Sequence, residues 1–164
     1  MKENMVFRYS FKAETQKFDT MIDAGIATDK AKYVVDLLDG ITGTGSWDID
    51  AKGYTVRDID KREAIAKANL TEQEKDTVMK SYMSDYPDRT EVKYEYIREE
   101  MGLSSEEYAE TYRAYLDEPY KADKIAAIEA LGYSKAVATK LYYVYYGNQS
   151  KVPTVAWYED KHGL

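Results

Sequence analysis

The sequence predicts an all-α fold: a multi-helix bundle of repeated helix–Gly–Ser/Thr–helix hairpins with one small β-hairpin inserted. Three observations predict it. Residues 124–146, KIAAIEALGYSKAVATKLYYVYY, read as helix, one-glycine stop, serine start and helix. Weaker copies of that unit recur three times upstream. Two of the junctions also carry an S/T-x-x-E capping box, Thr71 with Glu74 and Ser104 with Glu107, in which each partner satisfies an orphan backbone donor.

In the best copy, Ile125, Ile128 and Leu131 recur at i, i+3 and i+6 and make one apolar face. Gly132 follows at the position where a left-handed residue closes the last turn. Tyr133 is expected to close against the helix just ended, and Ser134 to cap the next one. That second helix carries Val137, Leu141, Val144 and Tyr145 on one face. So short a link makes the two helices a hairpin or corner. The other copies align on the glycine. Gly25 is followed by Ile26 and Thr28, and Gly102 by Leu103 and Ser104. Asn69 stands in for glycine ahead of Leu70 and Thr71, because asparagine is the next-best residue for that geometry.

Taken in order, Met5 to Phe11 alternates and reads as a short strand or extended arm, with Ser10 as a cap for the helix after it. The first helix is expected over Ala13–Ala24 with Phe18, Met21 and Ile22 inward, and the second over Asp29–Leu38, stopping at Gly40. Residues 46–49 and 54–56 pair as a hairpin across Asp50 to Gly53, anchored by Trp47. Asp58 or Asp60 opens a helix to Ala68, and the Thr71 box opens another to Met83. After the break at Pro87, helices follow over Thr90–Met101, with Val92, Tyr96 and Ile97 on one side, and from Ser104 or Ser105 to Glu118-Pro119. Beyond Gly147 no helical period is visible. Val152, Val155 and Trp157 alternate, which predicts an extended strap packed back on the helices or a segment that docks to a partner.

The 164 residues suit a single helical domain, with possible lobes at 1–86 and 87–147 and a tail at 148–164. The net charge of −7 argues against a surface built for phosphate backbones. No stretch approaches 18 apolar residues, so no membrane span is expected, and the N-terminus lacks a secretory apolar region. With no cysteine there is no disulfide framework and no thiolate chemistry, which favours an intracellular setting. Seventeen tyrosines stand against three phenylalanines and two tryptophans. A tyrosine buries its ring and keeps its hydroxyl wet, so it serves thin cores and partner surfaces alike.

No catalytic residue, cofactor or metal site is predicted. Asp48-x-Asp50-x-x-Gly53 opens like a calcium loop, but Lys52 and Ile59 occupy positions that need oxygen ligands. His162 is the only histidine and reads as a frayed tail residue. No phosphate-binding glycine motif or nucleophile elbow is present. The acids Glu99, Glu100, Glu106, Glu107, Glu110, Asp117 and Glu118 read first as a solvated face. Paired carboxylates for glycoside hydrolysis are a third reading. LYYVYY, residues 141–146, holds more rings than one helical face can bury. Tyr142, Tyr143 and Tyr146, with Trp157, are therefore the expected contacts for another protein. Cover of those rings by the tail at 152–157 is the plainer alternative.

DKREAIAKANLTEQEKDTV and KIAAIEALGYSKAVATKLYYVYYG resemble helical segments near the ends of long phage and prophage proteins of gut Firmicutes, of the minor structural, tape-measure or large polyvalent kind. The matching residues are Asp48 to Gly53, Leu70 to Lys75 and Tyr133 to Ala138, within a span of about residues 18–147. The resemblance implies a helical module acting by binding, within the host cytoplasm or on the virion, and supplies no catalytic residues. The alternative is an acidic, nucleic-acid-mimicking inhibitor of a host defence nuclease, of the anti-CRISPR type, presenting Glu99, Glu100, Glu106 and Glu110.

Overall fold

Regular structure is helical apart from one two-residue ladder in the computed structural model of the protein, which describes residues 14–41, 48–49, 55–56, 58–83, 89–147 and 154–163. The expected arm at Met5–Phe11, the Ser10 cap, the Trp47 anchor and the break at Pro87 lie outside those residues. The chain divides into two compact units, Met1–Tyr86 and Pro87–Leu164.

The first unit contains α1 (Glu14–Asp23), α2 (Thr28–Asp39), β1 (Asp48–Ile49), β2 (Thr55–Val56), α3 (Asp58–Ala66) and α4 (Glu72–Val78), which continues into a π-helical turn at Met79–Met83. Gly25 ends α1 at φ +98°, and Ile26 N donates back to Met21 O at 3.0 Å, the six-residue closure of a left-handed helix stop. Met21 and Ile26 are both buried there, while Phe18 and Ile22 are only half-buried. The cap of α2 is Ala27, with no side-chain hydrogen bond, so Thr28 is the first helical residue rather than the cap. The helix ends on Gly40 at φ −78°, an ordinary right-handed value. Val34, Leu38, Ile59, Ile65, Val78 and Met79 complete this core. In the ladder, Asp48 pairs with Val56 and Ile49 with Thr55, antiparallel; the residues between the strands lie outside the described set.

Asn69 departs from the expectation. Among the described residues positive φ occurs only at glycines, so Asn69 is not in the left-handed conformation. The end of α3 is closed otherwise. Leu70 N donates to Ala68 O at 2.8 Å, and the buried Lys75 reaches across from α4 to donate to Ala66 O at 2.7 Å. A cation on the last carbonyls satisfies the acceptors that a left-handed residue satisfies elsewhere. The Thr71 box forms as its sequence dictates: Thr71 N donates to Glu74 Oε1 at 2.9 Å, and Glu74 N to Thr71 Oγ1 at 3.1 Å.

The second unit contains α5 (Arg89–Glu99), α6 (Ser105–Asp117), α7 (Lys121–Glu129), α8 (Lys135–Tyr146) and α9 (Val155–His162). Helices α6, α7 and α8 pack against one another, α5 packs on α6, and α9 packs on α5. Ile97, Tyr108, Ile128, Leu141 and Val144 are its most buried large side chains. Gly102 and Gly132 both have positive φ, +70° and +109°. The Ser104 box is complete, and Ser134 accepts from Val137 N at 3.2 Å. The inner side of α5 is wider than expected: Tyr94 and Glu95 are buried with Val92 and Ile97, and Tyr96 is half-buried. Leu131 does not join the apolar face of α7. It is 45% exposed, because it lies in the turn past Glu129 where the helical phase has ended.

The tail is a correction in kind. Residues 155–162 are helical, not an extended strap. Thr154 Oγ1 accepts from Trp157 N at 3.2 Å and Gly163 closes the other end at φ +71°. In a helix of only eight residues these two caps count for more than the alternation of three apolar residues.

Candidate partner-binding surface

On α6, Tyr108, Tyr112 and Tyr115 fall at i, i+4 and i+7 and share one face. That face meets the tyrosines of α8. The rings form an unbroken series: Tyr94 edge-on to Tyr108 (4.8 Å), Tyr112 stacked on Tyr145 (4.8 Å), Tyr145 beside Tyr115 (5.4 Å), Tyr115 beside Tyr142 (5.8 Å), and Tyr142 stacked on Tyr146 (5.6 Å, 14° between planes). Tyr108 joins it to Tyr112 at 5.8 Å, and Tyr143 meets Tyr142 edge-on at 5.2 Å. Offset and edge contacts of this kind satisfy the ring quadrupoles.

The series runs from the core to solvent. At the inner end Tyr145 is 4% exposed. Its hydroxyl lies 2.7 Å from Thr111 Oγ1 and 3.1 Å from Tyr108 O, and Thr111 Oγ1 lies 2.8 Å from Glu107 O, so the two hydroxyl protons serve two of these three contacts at a time. Burial, followed by the neighbouring Tyr108, holds the Tyr145 phenol well above its usual pKa, and burial raises Tyr115 as well. Tyr133 is half-buried. Its hydroxyl donates to Glu107 Oε2 at 3.1 Å, across to the capping box of α6. Burial and then the Glu107 charge push its phenol to about 12. Glu107 is correspondingly held below the usual carboxylate range, chiefly by the Ser104 backbone donor.

At the outer end Tyr146 is 62% exposed and Tyr143 half-buried. Tyr142 is only 7% exposed, because rings from α6 and α8 close over it. Two lysines of α7 complete this end. Lys121 Nζ donates to Tyr143 OH at 2.7 Å and lies 4.8 Å from the Tyr143 centroid and 5.6 Å from that of Tyr142. The Tyr143 hydrogen bond raises the Lys121 pKa. Lys124 donates to Tyr115 O in the last turn of α6 and lies 4.0 Å from the Tyr115 centroid. Cations over aromatic faces are attracted by the ring quadrupole.

The remaining predicted residues sit elsewhere. Trp157 is half-buried on α9, edge-on to Tyr96 of α5 at 5.4 Å. Glu99 and Glu100 both pair with Lys161 of α9, at 3.6 and 3.3 Å, whereas Glu106 and Glu110 are exposed on α6. His162 is not frayed. Its Nε2 lies 2.6 Å from Oε2 of the buried Glu95, and the Tyr158 ring lies 4.3 Å from its own. Sequence reasoning missed Lys121, Lys124 and Thr111 at this site. The signal for their surroundings was the i, i+4, i+7 tyrosine row on α6, which needs an aromatic neighbour.

Among the described residues no group of three or more His, Cys, Asp or Glu could hold a metal ion, and no helix is long and apolar enough to cross a membrane. The chain matches no protein-family model, no curated protein and no solved structure.

Proposed function

We propose that the chain is a non-enzymatic protein–protein interaction or structural module of phage or mobile-element origin, with Tyr143, Tyr146 and the edge of Tyr142 at its contact surface. The observation that carries the reading is Tyr146, 62% exposed yet stacked on Tyr142 at the end of a series of rings anchored in the core. A pre-ordered aromatic ring loses little side-chain entropy on binding, which is the property of an interface anchor. The phage origin rests on the resemblance alone, and with it a place in the host cytoplasm or on the virion. The repeated helix–Gly–Ser/Thr–helix plan is supported by positive φ at Gly25, Gly102 and Gly132, and the inserted hairpin by the Asp48–Val56 pairing.

The pairing of Glu99 and Glu100 with Lys161 favours this reading over the acidic mimic, since it sets a positive charge against two of the four carboxylates of the proposed acidic face. Affinity capture from host lysate tests the choice. Tyr146→Ala and Tyr143→Ala are expected to weaken capture by roughly 30-fold, the cost of losing a hot-spot residue of about 2 kcal/mol, with the fold intact. If instead Glu106→Lys with Glu110→Lys abolishes capture and the tyrosine variants do not change it, the mimic reading replaces this one.

A further inference from the structure

Lysines in this acidic chain, with 30 Asp and Glu against 23 Lys and Arg, have carboxylates in plenty to choose from. Lys30 takes both oxygens of Glu74, and Lys161 lies between Glu99 and Glu100. Lys121 and Lys124 do neither. Their partners among the described residues are a phenol oxygen, a backbone carbonyl and three tyrosine rings. Neither makes an ion pair there, although Asp117, Glu118 and Asp123 are close in sequence. Two ammonium groups are thus held, without a carboxylate, against Tyr142, Tyr143 and Tyr115, and Tyr142 in turn stacks on the exposed ring of Tyr146.

We infer that this end of α6, α7 and α8 docks an acidic peptide segment of the partner, whose carboxylates meet Lys121 and Lys124 while an aromatic or proline side chain stacks on Tyr146. The inference rests on the proposed function and names the chemistry of the partner. Charge complementarity decides it: a peptide carboxylate supplies the counter-charge that the chain itself withholds, and the tyrosine rings supply apolar contact that a bare anion cannot use. A nucleic-acid strand offers the same combination of negative charge and flat rings, but over its length it meets a protein of charge −7.

The test is an amide NMR titration of the full chain with a synthetic peptide of about ten residues, Asp and Glu flanking a central Trp-Pro, beside the same peptide with Asn and Gln. Shifts are expected at Lys121, Tyr143 and Tyr146. Affinity should fall about tenfold or more for the amide peptide, for Lys121→Gln, and on raising NaCl to about 0.5 M. Lys124→Gln is a second probe, read only if circular dichroism matches the parent, because Lys124 also caps α6; Lys121→Gln stands without it. Equal response to both peptides, or shifts confined to other residues, overturns the inference, as does tighter binding of a thymidine oligonucleotide at the same residues. Partner capture separates the two readings. Loss with Tyr146→Ala but not with Lys121→Gln leaves the proposed function and removes the acidic segment; indifference to both removes both.

Discussion

The hydroxyl of Tyr145 on α8 lies 2.7 Å from Thr111 Oγ1 on α6, inside the core of its unit. Thr111 Oγ1 also lies within reach of Glu107 O, and the Tyr145 hydroxyl of Tyr108 O, so one hydroxyl donates to the other, which in turn donates to a backbone carbonyl. Tyr145→Phe should cost about 1–1.5 kcal/mol, one buried hydrogen bond. Thr111→Val should cost a similar amount, and the double variant less than the sum, because the two act as one unit. Urea unfolding of the three variants checks this. Strict additivity would mean that the hydroxyls are energetically independent.

High pH should unfold the chain through its tyrosines. An unfolded chain releases phenolic protons near pH 10. Folded Tyr145, Tyr115 and Tyr133 keep theirs to higher pH. Above pH 10 the unfolded state therefore binds fewer protons than the native state, and stability falls as pH rises. A phenol buried as Tyr145 is contributes about 1.4 kcal/mol per pH unit to that fall while its proton is retained. Absorbance titration near 295 nm should show a class of tyrosines ionising only with the loss of helical circular dichroism. Smooth titration of every tyrosine before unfolding would contradict the burial.

A methyl group added at Gly102 or Gly132 would meet nothing within 4 Å, so substitution there costs backbone strain alone. Gly102→Val and Gly132→Val should each destabilise by about 1–2 kcal/mol, and Asn at either position by less, since asparagine enters the left-handed region more easily. Thermal melts of the four variants test it. Equal cost for Val and Asn would place the penalty outside the backbone.

These glycines and the two capping boxes were legible in the sequence because each is a contact within one helical turn. What was not legible depends on residues far apart in the chain. Asn69 looked like a helix stop, but Lys75 and a tight turn close α3 in its place. An excess of rings in LYYVYY was visible, yet which ring is covered depends on Tyr115 of α6 and Lys121 of α7, so Tyr142 went inward and Tyr146 stayed out. The tail helix was hidden because eight residues with a single inward tryptophan give no readable period.

A related feature had no local signal at all. Lys75, Lys93 and Lys124 each donate from one helix to a last-turn carbonyl of another, Ala66, Tyr145 and Tyr115 respectively. Each ammonium both satisfies an orphan acceptor and sits at the negative end of a helix dipole. Lys75→Met and Lys93→Met, which keep the stem, should each destabilise by about 1–2 kcal/mol. Hydrogen exchange should speed most in the last turns of α3 and α8. Uniform acceleration along those helices would show that packing, not capping, was lost.

The final prediction concerns how α9 is held on α5. Among the contacts of the described residues that hold it are Trp157 edge-on to Tyr96, Lys161 between Glu99 and Glu100, and His162 on Glu95. They are unequal. The Lys161 pairs are largely exposed, and such pairs are worth about 0–1 kcal/mol. Glu95 is 3% exposed, and removing the imidazole takes one partner from a buried carboxylate whose other interactions stay, at a cost of about 1–3 kcal/mol. His162→Ala should therefore destabilise the second unit clearly more than Lys161→Ala does. Adding Glu95→Gln to His162→Ala should recover part of the loss, because a buried neutral amide bears the loss of one partner at lower cost than a carboxylate. Urea unfolding, followed by the protection of α5 amides from exchange, reads all three variants. If Lys161→Ala is the more damaging, or Glu95→Gln gives no recovery, then the Glu95–His162 contact is not what secures the tail helix.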